Sequence, residues 1–281
     1  MKRVLTAAIL IPLVLFLVFL GPRWQWIFTL AVAAVAALAA WEYIGLAQQG
    51  GFKPPRVAVL VAIVSLFAAR LLADSFTWLH QTEAVFGILA LGLLIYCTFF
   101  RPVDHVMADA SASVFCLLYI GFTMLALPTL HEEANGPSLV TFLLIVVWAG
   151  DTAAYYVGRA WGRHKLAPTL SPQKTWEGAL GSMAGSLLGA VSLLGVAGLL
   201  EQWNSARLSY PEAIWYWLAL AAVVNVAAQV GDLVESALKR SVGVKDSGTL
   251  LPGHGGVLDR IDALLLAAPA LWYAQVIHQM F

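Results

Sequence analysis

The chain has 281 residues, 60% of them hydrophobic and 11% charged, with sixteen basic and sixteen acidic residues. A soluble domain carries about 25% charged residues, so this balance excludes an ordinary water-soluble fold and suits lipid. The zero net charge hides an uneven arrangement, because charges are confined to short segments between long apolar runs. Cys97 and Cys116 both fall inside such runs, which argues against a disulfide framework or a thiolate metal site.

One helical crossing of a bilayer takes about 17 to 25 apolar residues. On that measure the chain divides into about nine runs, near residues 5–20, 25–46, 57–73, 84–100, 110–128, 139–158, 178–200, 213–235 and 262–280. The expected fold class is all-α, a polytopic integral membrane protein. The first run follows Lys2 and Arg3 as a signal peptide would, but Gly-Pro-Arg-Trp-Gln-Trp comes after it where a small-residue cleavage site would stand. It therefore reads as a retained anchor. Basic residues are held on the cytoplasmic side. With a cytoplasmic N-terminus, thirteen of the sixteen Lys and Arg residues lie in cytoplasmic connections, against Arg23 and Arg207 opposite and Arg70 in or beside the third run. Trp24, Trp26, Trp78, Trp203 and Trp272 stand near run ends, as an interfacial aromatic belt requires.

Residues 1–137 have short connections and few polar residues within the runs, and read as scaffold helices. Glu42 and Arg70 are the exceptions, each near enough to a run end to snorkel toward headgroups. Residues 138–281 read as the catalytic region. Two long cytoplasmic connections there, near 159–177 and 236–261, hold eight of the sixteen Lys and Arg residues. No internal repeat relates the halves, which weighs against an inverted-repeat transporter using Asp151, Asp232 and Glu235.

The sixth run carries Asp151, with Tyr155 and Arg159 four and eight residues on, so one helix face leads into the first connection. A carboxylate well inside a run costs about 2.5 to 3.5 kcal/mol on insertion scales and calls for a partner. In the connection, Ser171 can cap a helix begun by Pro172, with Glu177 a first-turn charge. Capping and ligand roles both stay open for Ser171 and Glu177, while Lys174 suits a phosphate.

The eighth run ends in Asp232, Glu235 and Ser236, which share a face that Lys239 extends by a turn. Asp259 and Asp262 open the ninth. Hard oxygen donors in this number suit Mg²⁺, which takes one or two carboxylates plus substrate phosphates; alternatively, the acids pair with Lys239, Arg240 and Arg260 to ease insertion. Between them run Lys239, Arg240, Gly243, Lys245 and Gly248, then Pro252-Gly253-His254-Gly255-Gly256. Glycines admit a ligand close to the backbone, and successive N–H groups can form a nest for an anion. Basic residues, nest and paired acids together match what a magnesium-bound polyphosphate requires.

Ser236-Ala-Leu-Lys239-Arg240, Lys245-Asp246-Ser247-Gly248 and Leu251-Pro252-Gly253-His254-Gly255-Gly256-Val257-Leu258-Asp259-Arg260-Ile261-Asp262 span 27 residues and resemble, position for position, the signature of the phosphatidate cytidylyltransferases, or CDP-diacylglycerol synthases. A second pattern of that family is matched by Gly150-Asp151-Thr152-Ala153-Ala154-Tyr155 and Ser171-Pro172-Gln173-Lys174-Thr175-Trp176-Glu177-Gly178, with Gln173 where members often have lysine. The resemblance implies that CTP and phosphatidate give CDP-diacylglycerol and pyrophosphate with Mg²⁺, and that Asp232 and Asp259 are the metal ligands. On that basis Lys239, Asp262 and Asp151 join the catalytic set. Arg240, Lys245, Arg260, Lys174, Ser171, Ser236, His254, Gly255 and Gly256 form the substrate-binding set, His254 either bonding the loop or contacting phosphate. Expected partners are CTP, phosphatidate and membrane lipids, with no nucleic acid; a homodimer and a second, monovalent cation stay open. The expected location is a bacterial inner membrane with the site facing the cytoplasm. A CDP-alcohol phosphotransferase is the nearest rival, but Asp259 and Asp262 lack the longer spaced aspartate array of that family.

Overall fold

The computed structural model describes residues 2–73, 75–76, 79, 81–202, 208–250 and 255–280. Trp78, Trp203, Arg207 and His254, singled out above, lie outside the described residues. Helical segments follow the nine apolar runs: α1 (Lys2–Val18), α2 (Gln25–Gln49), α3 (Arg56–Leu72), α4 (Thr82–Phe100), α5 (Val106–Cys116) joined through a π-helical stretch (Leu117–Phe122) to α6 (Thr123–Glu132), α7 (Gly136–Trp161), α8 (Trp176–Gln202), α9 (Ile214–Ser241) and α10 (Leu258–Gln279). Among the described residues, seven of these segments are long and apolar enough to cross a membrane. The other two, α1 and α3, have 17 residues each, the short end of the crossing range. The protein is an all-α polytopic membrane protein, with a two-stranded hairpin, β1 (Lys165–Ala167) and β2 (Ser171–Thr175), between α7 and α8.

The chain forms two compact units that interleave in sequence. The first comprises Met1–Pro12, Leu20–Pro128 and Leu238–Ile261. Its apolar core includes Ile44, Ile63, Phe67, Leu117 and Ile120. Gly121, within the π-helical stretch, sets that backbone against Ile63 and Leu66 of α3. Pro54 and Pro55 keep α2 from running on into α3, because proline supplies no N–H and bars helical geometry before it. At this end the buried Asp109 of α5 accepts the Lys53 N–H at 2.6 Å and pairs with Arg101 Nε at 3.5 Å. Arg101 Nη2 in turn donates to the Lys53 carbonyl. One carboxylate thus ties the α2–α3 connection to the end of α4.

The second unit comprises Leu13–Phe19, Thr129–Ala237 and Asp262–Phe281. Its central contact is α7 against α8, where glycines recur every fourth residue of α8. A Cβ at Gly181 would stand 2.6 Å from Val157, one at Gly185 would overlap Ala153, and one at Gly189 would stand 2.8 Å from Ala149. Small residues on one face let backbones approach, which in lipid is the main source of helix association. Gly150 of α7 likewise makes room for Ser186 and Asn225. Buried Asn225 of α9 donates through Nδ2 to Ser182 and Ser186 Oγ, both at 2.8 Å, and accepts from Gln229 Nε2 at 2.6 Å. A buried amide must find partners where water is absent, so these bonds fix the register of α9 on α8 seven residues before Asp232. Gly231 then brings α9 against the Asp262 carbonyl.

Candidate active site

In the first unit the site residues are built on the end of α9, the following loop and the start of α10. Helix α9 stops in a Schellman turn. The Val244 N–H reaches the Lys239 carbonyl at 3.0 Å, the Gly243 N–H reaches that of Arg240 at 3.1 Å, and Gly243 takes the left-handed φ of 76° that the motif requires. Arg240 Nη1 closes the turn on the Val244 carbonyl at 2.6 Å. Lys239 projects from the last turns of the helix to Asp259, its Nζ 2.6 Å from Oδ1. The other oxygen, Oδ2, accepts the N–H groups of Ser247 at 2.9 Å and Gly256 at 2.7 Å. Both side chains are largely buried, 12% exposed for Lys239 and 6% for Asp259, so the attraction is little screened by water. Gly255, at φ 80°, stands where a Cβ would lie 2.6 Å from Asp259 Oδ2. Lys245 and Arg260 are exposed.

Glu42 of α2 also enters this loop. It does not snorkel as expected from its place near a run end: it is 7% exposed. Its carboxylate accepts Val257 N–H at 3.0 Å, Leu258 N–H at 2.8 Å and Ser247 Oγ–H at 3.1 Å. The first turn of α10 leaves N–H groups without intrahelical partners, and a carboxylate placed there is favoured by the helix dipole.

In the second unit, Lys174 of β2 holds Asp232 of α9, Nζ to Oδ2 at 2.6 Å, and Ser236 Oγ donates to Asp232 Oδ1 at 3.5 Å. The expected shared face of Asp232 and Ser236 is therefore present. Lys174 gets its place from the hairpin, in which Lys165 pairs with Thr175 and Ala167 with Ser171. The expected helix from Pro172 does not form; Ser171–Thr175 is strand, and α8 starts at Trp176. Its cap is Thr175, whose Oγ1 accepts the Gly178 N–H at 3.1 Å, not Ser171. Glu177 fastens the hairpin's entry by accepting from the N–H groups of Arg163 and His164, with His164 Nδ1 2.6 Å away. Asp151 is exposed on α7, and further along that helix Arg159 Nη1 donates to the Tyr155 hydroxyl at 3.0 Å, as the shared face of those two residues predicts. Asp262 bonds the Ala263 N–H at 2.8 Å.

Each unit thus offers a carboxylate held by a lysine, beside further basic groups and backbone donors. Among the described residues no three His, Cys, Asp or Glu side chains converge on a point where a metal ion would sit. The donor set fits a hard cation that takes one or two carboxylate oxygens from the protein and completes its shell with phosphates and water, not a cage built of protein alone. Sequence reasoning missed Glu42 as a member of this loop. Its signal was available as a carboxylate in an apolar run, but its partners lie more than 200 residues away.

Comparison with known proteins places these features in a family. The family described as the cytidylyltransferase family matches residues 1–278. A phosphatidate cytidylyltransferase of Brucella suis biovar 1 is 34% identical over 276 residues, 96% of this chain and 91% of that protein. Proteins of the same name from Synechocystis sp. and Haemophilus influenzae are each 33% identical, covering 98% and 97% of this chain and 96% and 97% of their own lengths.

Proposed function

From the premise that the chain belongs to the cytidylyltransferase family, we infer that it transfers CMP from CTP to phosphatidate, giving CDP-diacylglycerol and pyrophosphate. The observation that carries this reading is the Lys239–Asp259 pair, fixed by backbone N–H groups within the 27-residue segment that matches the signature. An oxygen of the phosphatidate phosphate attacks the α-phosphorus of CTP; the bond from that phosphorus to the bridging oxygen breaks, and pyrophosphate leaves with the electron pair. A phosphate monoester has its second pKa at about 6, so the nucleophile is already largely ionised at neutral pH and no strong general base is needed. The protein's task is to align the two substrates and to neutralise their crowded charge.

Asp232 and Asp259 are the proposed Mg²⁺ ligands, with the substrate phosphates as the remaining donors. When bound, magnesium supplies charge neutralisation at the phosphates. Lys239 and Lys174 hold the two carboxylates in place, and their ammonium groups are available to phosphate oxygens. Arg240, Lys245 and Arg260 supply further positive charge, Gly255, Gly256 and Ser171 backbone close to the ligand, and Ser236 orients Asp232. Asp151 and Asp262 complete the proposed catalytic set. The excess of basic residues in alternate connections supports a cytoplasmic site in a bacterial inner membrane, the side on which CTP is made.

Incorporation of α-labelled CTP into lipid by purified protein tests the reading. Label should enter lipid only when phosphatidate and magnesium are both present. No incorporation by folded protein overturns it, and release of CMP from a CDP-activated substrate, with no pyrophosphate formed from CTP, would favour a CDP-alcohol phosphotransferase.

A further inference from the structure

We infer that Glu42 is a positioning residue of the reaction: its buried carboxylate fixes the loop whose N–H groups hold Asp259. The catalytic consequence rests on the cytidylyl-transfer reading; the structural role stands apart from it. Three observations lead here. Glu42 takes three donors on two oxygens, and these come from both ends of the loop, Ser247 on one side and Val257 and Leu258 on the other. A residue that merely capped α10 would need only the last two.

The loop then passes that constraint to Asp259. Ser247 gives its hydroxyl to Glu42 and its N–H to Asp259 Oδ2. On the other side, Gly256 gives its N–H to the same Oδ2, while the next two N–H groups go to Glu42. Any shift of the Glu42 carboxylate therefore moves both backbone donors of Asp259 together.

Two glycines show that the loop is shaped around this carboxylate. A Cβ at Gly248 would stand 2.6 Å from Glu42 Oε1, and one at Gly256 would overlap both Glu42 Oε2 and Ser247 Oγ. Neither position has a left-handed φ, so close approach is what these glycines supply. Neutralising Glu42 would leave its volume intact but turn an amide N–H₂ toward backbone N–H groups, donor against donor.

Glu42→Gln is the test, read by steady-state kinetics and by hydrogen exchange of peptides covering 244–250 and 255–258. We expect kcat per folded enzyme to fall by about 10- to 100-fold, as for residues that orient a metal ligand, with KM for phosphatidate changed less than about twofold. Exchange in the loop should rise by about tenfold while the α7–α8 peptides keep wild-type protection. Wild-type kcat with wild-type exchange overturns the inference. So does an activity loss that only follows the folded fraction. If the wild-type protein makes no CDP-lipid the proposed function falls, and faster loop exchange in the variant still supports Glu42 as the loop's anchor. Should Glu42→Gln fail to accumulate, Ser247→Ala decides: it removes one of the three bonds, and a loss in kcat of about threefold or more with faster exchange supports the inference, whereas wild-type values for both overturn it.

Discussion

Asp259 receives an ammonium at one oxygen and two backbone N–H groups at the other, so its orientation is set before any substrate arrives. That arrangement separates charge from shape in a simple experiment. Asp259→Asn keeps the volume and one acceptor but removes the negative charge; turnover per folded protein should drop by at least about a hundredfold, a loss typical for removing a preorganised electrostatic contact. The protein should stay inserted and folded at assay temperature with a lowered melting temperature, because the buried Lys239 loses its counter-charge. Activity retained in this variant would contradict a metal or phosphate role. The two lysines should then differ in their effect on stability. Lys239 and Asp259 are nearly buried, whereas Lys174 and Asp232 are 24% and 38% exposed. Removing one partner of a buried pair costs about 3 to 5 kcal/mol, and an exposed pair contributes about 0 to 1 kcal/mol. Lys239→Ala should therefore lower thermal stability clearly, and Lys174→Ala should leave it nearly unchanged while raising KM for CTP. Equal melting temperatures for the two variants would count against this difference in burial.

At the scale of elements, α8 illustrates how sequence features set helix position. Its start depends on Thr175, and loss of an N-cap costs about 0.5 to 2 kcal/mol; Thr175→Ala should destabilise by that amount, whereas Ser171→Ala should not, as thermal unfolding in detergent would show. Its packing depends on the glycine face. Gly185→Leu drives a large side chain into Ala153 and the Ala149 carbonyl, and should separate α7 from α8 with loss of folded protein. Hydropathy made the helical segments legible, because a bilayer demands long apolar helices. The hairpin was not legible: Ser171 and Pro172 are ordinary helix-start signals, and only the pairing with Lys165–Ala167 and the Glu177 fastening select strand. Glu42 was hidden for a different reason. Its position near a run end allowed snorkelling, and nothing local shows that Ser247, Val257 and Leu258, more than 200 residues on, supply its partners. By contrast, Asp232 with Ser236 and Tyr155 with Arg159 were legible because helix spacing alone brings each pair together.

For the whole molecule, composition and the distribution of basic residues lead to one proposed topology, with both polar connections on the cytoplasmic side. Cys97 and Cys116 are buried, so single cysteines introduced on the surface report without background. Lys245→Cys should react with an impermeant thiol reagent only after cells are opened, and Arg23→Cys in intact cells; the reverse pattern would invert the topology. The chemistry is tested most directly by product stoichiometry. Wild-type protein in phosphatidate-containing vesicles, given CTP and magnesium, should release one pyrophosphate for each CDP-diacylglycerol formed, and Asp259→Asn should form neither. Pyrophosphate without CDP-lipid, or equal turnover by the variant, would contradict the account.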